Sequence, residues 1–184
     1  MNYEDFLRLV QSRRSIRLLK SDPLPDEYVD RIIEAARWAP SGFNTQPWEF
    51  IVVDDPELLS QLSIAKPHGA CLIKHAPLAV VVTGDKTKSD VWIEDCSIAS
   101  IILQLAAEAL GLGSCWVQIH RRYHDDDQTA NEFISELLHI PDHLEVLSVV
   151  GIGYKAADRP ALTDKEIEWQ KVVRNCYQTT NNEK

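Results

Sequence analysis

The stretch Asp95–Leu112, DCSIASIILQLAAEALGL, predicts a helix that is apolar on nearly every side. At helical spacing, one broad apolar side is formed by Ile98, Ile101, Ile102, Leu105, Ala109 and Leu112. The residues that interrupt the apolar surface are few, namely Ser97, Ser100, Gln104 and Glu108. Because a helix without a polar face is normally surrounded by other elements, we expect this one to be buried nearly all round at the centre of the fold.

The sequence around this helix predicts one core built from helices and a sheet. Gly111 and Gly113 stop the helix, since glycine adopts left-handed dihedrals without steric cost. The segment Ser114–Ile119 then follows as a strand. Three further apolar runs are predicted as strands: Trp48–Val53, Pro77–Gly84 and Glu145–Gly153. The central helix has acidic flanks and falls short of the roughly 20 apolar residues of a membrane span, so we expect no membrane segment.

Composition and charge narrow the class of protein. A chain of 184 residues suits one domain, 1–184, with a sizeable core. The formal net charge of -9 argues against a nucleic-acid partner, which needs clustered cations. The N-terminus has no signal-peptide pattern, and the four cysteines form no CxxC pair. We interpret the cysteines as reduced core thiols of a cytoplasmic protein.

Arg13–Arg17, RRSIR, is a basic cluster on an otherwise acidic chain. It follows a helix predicted over Tyr3–Gln11, with Asn2 as its cap. Guanidinium groups bind phosphate oxygens in a bidentate manner, so the cluster has the composition of an anion site. A solvated basic helix end, which complements the helix dipole, is the alternative that composition alone favours.

Ala39–Pro47, APSGFNTQP, is a polar loop between a helix predicted from Asp26 to about Trp38 and the first strand. Asn44 and Gln46 could present hydrogen-bond donors and acceptors to a heteroaromatic ligand, because binding residues often lie on loops held by a rigid scaffold. An ordinary helix-to-strand connection is the alternative.

Two patterns suggest sites that we reject. His120 and His124 in the stretch HRRYHDDD are spaced i, i+4, but no HExxH pattern or helix supports a metal site, and we expect none. Gly151–Ala156 fits G-x-G-x-x-A, but Asp158-Arg159-Pro160 breaks the chain before a helix can follow. We therefore predict a charged loop at the first position and no dinucleotide fold at the second.

The remaining segments predict helices and an apolar C-terminal arm. Short helices are expected after Asp55-Pro56 and over Thr129–Leu138, whereas Lys66–His75 is either a helix or a lid segment. Thr163 and Glu166 form a capping box for another short helix. Trp169–Tyr177 is too apolar to remain free in water, and a second subunit is one candidate surface for it.

Four motifs in order resemble the nitroreductase-like flavoprotein family over nearly the whole chain. Arg13–Arg17 resembles its RRSxR motif, and 39–48, APSGFNTQPW, resembles its APSxxNxQPW motif. The two stretches 92–95 and 106–116 are similar to its central-helix signature. Gly151–Pro160 resembles its closing strand and Arg-Pro turn.

The resemblance implies an α+β fold with a mixed sheet around the central helix, and FMN bound without a covalent bond at a homodimer interface. It also implies a domain-swapped arm, residues 163–184, that reaches across the partner subunit. Residues implied for the phosphate and ribityl chain are Arg13, Arg14, Ser15 and Arg159. Residues implied along the ribityl and pyrimidine edge are Arg17, Ser41, Asn44 and Gln46. Backbone groups of Gln118, Ile119 and His120 would pass the flavin N5 and O4 edge.

The activity implied by the resemblance is ping-pong hydride transfer from NAD(P)H, through flavin N5, to a nitroaromatic, a quinone or a related electrophile. The cofactor performs this chemistry, so no catalytic side chain is expected. Two alternatives remain open: a specialised branch of the fold, such as a dehalogenase or a heterocycle dehydrogenase, and a flavin-carrying protein without turnover. The region between the second and third strands is short, and Val117-Gln118 stands where small residues are expected, so the substrate is not specified.

Overall fold

A computed structural model describes residues 2–177 as an α+β fold, with a four-stranded sheet covered by helices. The strands are β1 (Trp48–Val53), β2 (Leu78–Asp85), β3 (Gly113–Gln118) and β4 (Leu144–Gly153). The helices are α1 (Tyr3–Ser12), α2 (Asp26–Arg37), α3 (Pro56–Leu62), α4 (Trp92–Ala109) and α5 (Ala130–Leu138). Residues 178–184, the end of the expected arm, lie outside the described residues.

Local capping signals set the helix starts that the sequence predicted. Asn2 and Thr129 each close a capping box at the start of α1 and α5, and the Asp55 side chain accepts from the backbone of Glu57 and Leu58 at the start of α3. The segment expected as a helix or lid before β2 contains a 3₁₀ turn, Cys71–His75. Within residues 2–177, none of the helices is long and apolar enough to cross a membrane.

The sheet has the order β1-β2-β4-β3, and all three strand pairs are antiparallel. The expected mixed sheet is therefore corrected: within the described residues, the parallel component is one isolated bridge between Ser15, which belongs to none of the four strands, and Ser114 of β3. Strand β2 is buried along its whole length, which confirms that this apolar run is a central strand. Strand β3 lies at the edge, so part of its backbone is free to meet another group.

Each face of the sheet has its own apolar layer. One layer joins the sheet to α3, α5 and the Cys71–His75 turn, and it contains Cys115, Val117 and Ile119 of the β3 region. The other layer joins the sheet to α2 and α4, and it contains Trp116. The alternation along β3 follows from the period of two in a strand, so the odd-numbered and even-numbered side chains meet different helices.

Helix α4 begins one turn earlier than the stretch that predicted it, and Gly111 ends it with a left-handed φ of 77°. The prediction that its broad apolar side is buried holds for Leu112 but is wrong for Ile98 and Ile101. Ile98 is 38% exposed and Ile101 is 39% exposed, whereas Asp95, Ser100 and Gln104 are buried. The isoleucine side thus forms an apolar surface of the single chain.

The buried polar residues of α4 are tolerated because each finds a hydrogen-bond acceptor or donor. The Ser100 hydroxyl donates to the Cys96 carbonyl at 2.7 Å, and the Gln104 amide donates to the Ser100 carbonyl. These local bonds satisfy groups that would otherwise lose free energy on burial. The sheet-facing side of α4 is therefore narrow and partly polar, and small residues such as Ala99 let the helix approach the sheet closely.

The C-terminal segment runs over the surface after β4. The Thr163–Glu166 capping box is present, but it encloses a 3₁₀ turn, Asp164–Glu166. Trp169 is 70% exposed and Tyr177 is 84% exposed, so neither packs within its own chain. Cys71 and Cys176 are also exposed, which corrects the interpretation of all four cysteines as core thiols; Cys96 and Cys115 are buried.

Candidate functional site

The basic segment after α1 is fixed along the free edge of β3. The N–H of Ile16 donates to the Ser114 carbonyl at 2.9 Å, and the bridge between Ser15 and Ser114 is parallel. A Cβ atom at Gly113 would lie 2.9 Å from the Cβ of Ile16, so glycine allows this close approach. The segment is thus an added edge of the sheet, not a solvated helix end.

The segment after β4 returns to the same place. The N–H of Ala156 donates to the Leu18 carbonyl at 3.0 Å, and the Arg159 guanidinium donates to the Ser15 carbonyl at 3.4 Å. Between the two segments lies a cleft of about 270 Å³. Its lining residues are Ser15, Ile16, Arg17, Leu18, Ala157 and Arg159. Two guanidinium groups and a hydroxyl in one cleft form a site with the donors that a phosphate requires.

Arg13 and Arg17 also lie close to the buried Cys115 side chain. Burial raises the pKa of the Cys115 thiol, while the charges of Arg17, Arg13 and Lys66 oppose that rise. The cations around this thiol show that the basic region extends beyond the lining of the cleft. Lys66, which the sequence analysis did not single out, belongs to this region.

Arg14 takes a different direction from its neighbours. Its guanidinium donates to the Pro160 carbonyl at 2.5 Å, and its charge contributes to the lowered pKa of Glu166, after the larger effect of the Thr163 hydrogen bonds. The side chain therefore holds the segment after β4 against α1, and it does not line the cleft.

The loop 41–46 carries three of the residues predicted for the site, but it lies apart from the cleft in a single chain. The Ser41 hydroxyl accepts from the Gln46 N–H at 2.9 Å, and the Gln46 amide donates to the Asn44 side chain at 3.4 Å. Phe43, Asn44 and Gln46 have positive φ angles of 51°, 57° and 45°. None of these loop residues lines the cleft, so one chain does not bring the two groups together.

At the end of β3, Gln118 is the residue whose backbone faces the free edge. The N–H groups of both Ile119 and His120 donate to the Leu147 carbonyl, at 3.1 and 3.0 Å. Because Ser114 already presents its carbonyl outward and backbone directions alternate along an antiparallel strand, Trp116 and Gln118 point the same way. Of the three residues predicted here, only Gln118 offers an unused backbone N–H at that edge.

The side chains of this segment are engaged within the chain. The indole N–H of Trp116 donates to the Gln118 side chain at 3.0 Å, and the Gln118 amide donates to the His120 carbonyl at 3.0 Å. The His120 ring pairs with Glu145 at 2.8 Å and meets the Trp92 ring edge to face. These contacts orient the end of β3 and leave its backbone as the accessible part.

An antiparallel sheet with a guanidinium-lined cleft at its edge strand defines an α+β protein suited to a ligand that carries a phosphate. The chain belongs to the nitroreductase family, whose sequence profile matches residues 10–66 and 60–154. The family resemblance seen in the four motifs is thereby confirmed.

The chain is similar to two relatives over most of its length. A protein of Methanothermobacter thermautotrophicus, provisionally named NADH dehydrogenase/NAD(P)H nitroreductase, is 38% identical over 87% of this chain and 82% of its own. The structure of an FMN-dependent nitroreductase from Clostridium difficile R20291 superposes with a TM-score of 0.91 and 42% identity, covering 93% of this chain and 99% of its own. A shorter match links 58 residues to iodotyrosine deiodinase 1 of Rattus norvegicus, with 48% identity over 32% of this chain and 20% of that protein.

Proposed function

We propose that this chain is an FMN-dependent oxidoreductase that takes electrons from NAD(P)H and passes them to a small electrophile. The observation that carries the proposal is the cleft in which Arg17, Arg159 and the Ser15 hydroxyl converge beside the free edge of β3. A basic cleft on a chain of net charge -9 selects an anionic ligand. The names of the relatives from M. thermautotrophicus and C. difficile support the same nucleotide and cofactor.

The residues of the cleft fit the parts of FMN. We assign the phosphate and ribityl chain to Ser15 and Arg159, which line the cleft, together with Arg13 of the same basic segment, and the ring side to Arg17, which also lines the cleft. Arg14 contributes indirectly, because its bond to Pro160 keeps the Arg159 segment in place.

The chain supplies orientation and electrostatics, and the cofactor supplies the redox chemistry. The chemistry that FMN would supply when bound is acceptance of a hydride from NAD(P)H and transfer of the electrons to the electrophile. An unpaired backbone N–H, such as that of Gln118 at the sheet edge, favours negative charge that develops beside it. No side chain of the site is assigned as an acid or base.

We further propose that the working form is a homodimer of one-domain subunits, residues 1–184. Three apolar surfaces support it: the Ile98 and Ile101 side of α4, the loop tip at Phe43, and the arm at Trp169, all exposed in one chain. Isologous association would place the loop 41–46 of one subunit, with Ser41, Asn44 and Gln46, at the cleft of its partner. The exposed Cys71 thiol suits the reducing conditions of the cytoplasm.

Purification and anaerobic stopped-flow reduction test this function. The protein should be yellow, release FMN on heating, and lose its colour rapidly with NADH or NADPH before reoxidation by a nitroaromatic or a quinone. A colourless protein that does not take up FMN would overturn the proposal. A yellow protein that neither nucleotide bleaches would instead be a flavin carrier.

Reductive dehalogenation is the second candidate, and the match to iodotyrosine deiodinase 1 favours it. That match covers 58 residues only, so the nitroreductase assignment rests on far more of the chain. Reoxidation of the reduced protein by 3-iodotyrosine with release of iodide, at a rate above that with nitroaromatics, would support the dehalogenase.

A further inference from the structure

A second basic cleft, of about 270 Å³, lies beside the end of β3. Its lining residues are Lys66, Pro67, His68, Arg122 and Tyr123. The lining contains two basic side chains, an imidazole and an aromatic ring, and it contains no carboxylate. On a chain with 28 acidic and 19 basic residues, a cleft lined by basic side chains without any acidic one is unusual.

Lys66 and Arg122 stand near each other without a carboxylate to balance them. Within residues 2–177, neither side chain forms an ion pair with Asp or Glu. Partial burial and, next, the Arg122 guanidinium lower the pKa of the Lys66 ammonium. Two like charges held near each other, with the Lys66 ammonium partly buried, cost free energy, which a bound anion would recover.

The cleft is held by contacts that bring its two walls together. The His124 ring pairs through Nδ1 with the Ile64 carbonyl at 3.0 Å and stacks on Phe133 with ring centroids 4.1 Å apart. The Arg122 backbone donates to the Ile119 carbonyl and accepts from the Ala130 N–H, both at 2.9 Å. The walls that carry Lys66 and Arg122 are therefore fastened to each other and to the end of β3.

The acidic residues nearest in sequence do not neutralise this cleft. Asp125 accepts hydrogen bonds from the backbone N–H groups of Asp127 and Gln128, at 2.9 and 2.8 Å, and so stabilises its own turn. None of the three aspartates of this turn lines the cleft.

The cleft adjoins the proposed cofactor site. The Cys115 thiol lies within the influence of Arg13, Arg17 and Lys66, so the two basic regions meet around one side chain of β3. The Arg122 N–H donates to the carbonyl of Ile119 at 2.9 Å, one residue beyond Gln118, at the strand end assigned to the reactive edge of the cofactor. A molecule held by Lys66 and Arg122 would thus lie next to that edge.

We propose that Lys66 and Arg122 bind the anionic group of the electron acceptor, so that the substrate class is a small aromatic electrophile that carries a carboxylate. The Tyr123 ring offers an apolar face to the aromatic part, and His68 lies beside the carboxylate. This inference rests on the proposed oxidoreductase function, because it names the second substrate of that reaction.

Two nitro compounds of matched shape test the subsite in the full-length holoprotein. 4-Nitrobenzoate carries a carboxylate, whereas 4-nitrobenzamide is its neutral counterpart. Charge-assisted bonds to two cations should make kcat/KM for the benzoate about tenfold or more above that for the benzamide. Lys66→Met and Arg122→Met should each remove most of this preference, mainly through KM, and Lys66→Arg should retain it. Lys74→Met, an exposed lysine outside the cleft, is the matched control and should behave as the parent.

Calorimetric titration with benzoate and benzamide measures binding without turnover. The parent should bind benzoate more tightly, Lys66→Met should lose that difference, and the FMN dissociation constant should not change. Equal use of the two nitro compounds, or a benzoate preference that survives both methionine variants, would overturn the subsite. A marked loss of FMN affinity in Lys66→Met would also overturn it, since Lys66 would then belong to the cofactor site. A protein that NAD(P)H does not reduce, but that shows Lys66-dependent benzoate binding, would contradict the proposed function and support the anion subsite.

Discussion

The Asp95 carboxylate accepts a hydrogen bond from the backbone N–H of Gly42 at 2.9 Å, across 53 residues of sequence. Its other oxygen accepts from the Ser89 hydroxyl at 3.0 Å, and the carboxylate is buried. A Cβ atom at Gly42 would lie 3.1 Å from the Val91 side chain, so the loop is pressed closely against the start of α4. The central helix therefore fastens the loop that carries Ser41, Asn44 and Gln46.

Removing the hydrogen bond between Asp95 and Gly42 should lower both the FMN affinity and the free energy of unfolding. Asp95→Ala leaves the Gly42 N–H and the Ser89 hydroxyl without their acceptor, at a cost of about 1–3 kcal/mol in the free energy of unfolding. FMN affinity should fall, because the loop with its three positive φ angles is no longer held. Asp95→Asn keeps an acceptor for Gly42 and should restore most of the FMN affinity. Denaturant unfolding and FMN titration check this, and equal losses in both variants would contradict the positional role.

Substitutions of Arg13 and Arg14, which follow α1, should differ in their effects on the binding of FMN and of riboflavin, which lacks the phosphate. Arg13→Ala removes a guanidinium that we assign to the phosphate, so the FMN dissociation constant should rise by about tenfold or more, while riboflavin binding changes little. Arg14→Ala removes the bond to Pro160 and should weaken both ligands to a similar, smaller extent. Fluorescence titrations with FMN and riboflavin measure these changes, with Arg31→Ala on the exposed face of α2 as the control. A phosphate-specific loss in Arg14→Ala would reverse the assignment.

The exposed C-terminal arm predicts that subunit association and FMN retention depend on the same residues. A chain that ends after Thr163 loses Trp169, Val172 and Tyr177, which are all exposed in one subunit. If they pack on the partner, truncation should lower the dimer fraction in sedimentation, the FMN affinity and the melting temperature together. Ile98→Glu is the comparison variant, because it places a charge on the exposed apolar surface of α4 and leaves the arm intact. A truncated chain that stays dimeric and keeps FMN would show that the arm has no role at the interface.

The ion pair between Lys155 and Glu108, 2.8 Å long, joins the end of β4 to the last turn of α4. Both side chains are largely buried, so Lys155→Met leaves the Glu108 carboxylate without its cation. Such an uncompensated charge costs up to about 3–5 kcal/mol in the free energy of unfolding. The double variant Lys155→Met with Glu108→Leu should recover most of the loss, and urea unfolding of the four proteins in the cycle measures the coupling. Additive effects would show that the pair contributes little.

The cysteines should differ sharply in reactivity. Burial, with a smaller effect of the Asp95 charge, raises the pKa of the Cys96 thiol to about 12, and the thiolate is the reactive form. At pH 8, a disulfide reagent should modify the exposed Cys71 rapidly and Cys96 only after unfolding. Mass spectrometry of peptides from Cys71→Ser and parent protein distinguishes the sites. Rapid labelling of Cys96 in the folded protein would indicate that α4 opens readily from the sheet.

Much of the fold was predictable because its signals are local. The caps Asn2, Asp55 and Thr129 each act within three residues, and the apolar runs of the strands depend on neighbouring residues. The site motifs were also visible, since Arg13–Arg17 is a contiguous cluster. The family resemblance alone grouped Arg159 with this cluster, from which it is distant in sequence. The cleft of Lys66 and Arg122 was not predictable, because these residues meet only through the return of distant segments.

The sequence by itself determined the positions of most helices and strands, the family, and the basic segment beside the edge strand, all of which depend on residues close together in the chain. Tertiary structure decided which side of α4 is buried, because the sequence of a helix that is apolar nearly all round does not indicate which side faces the sheet. It likewise decided that Arg14 turns to Pro160 and that Gln118, not Ile119 or His120, keeps a free N–H, since hydrogen-bond partners in a sheet are set by strand pairing. The pairing of Lys66 with Arg122 follows from the same cause, the contact of segments that sequence distance separates.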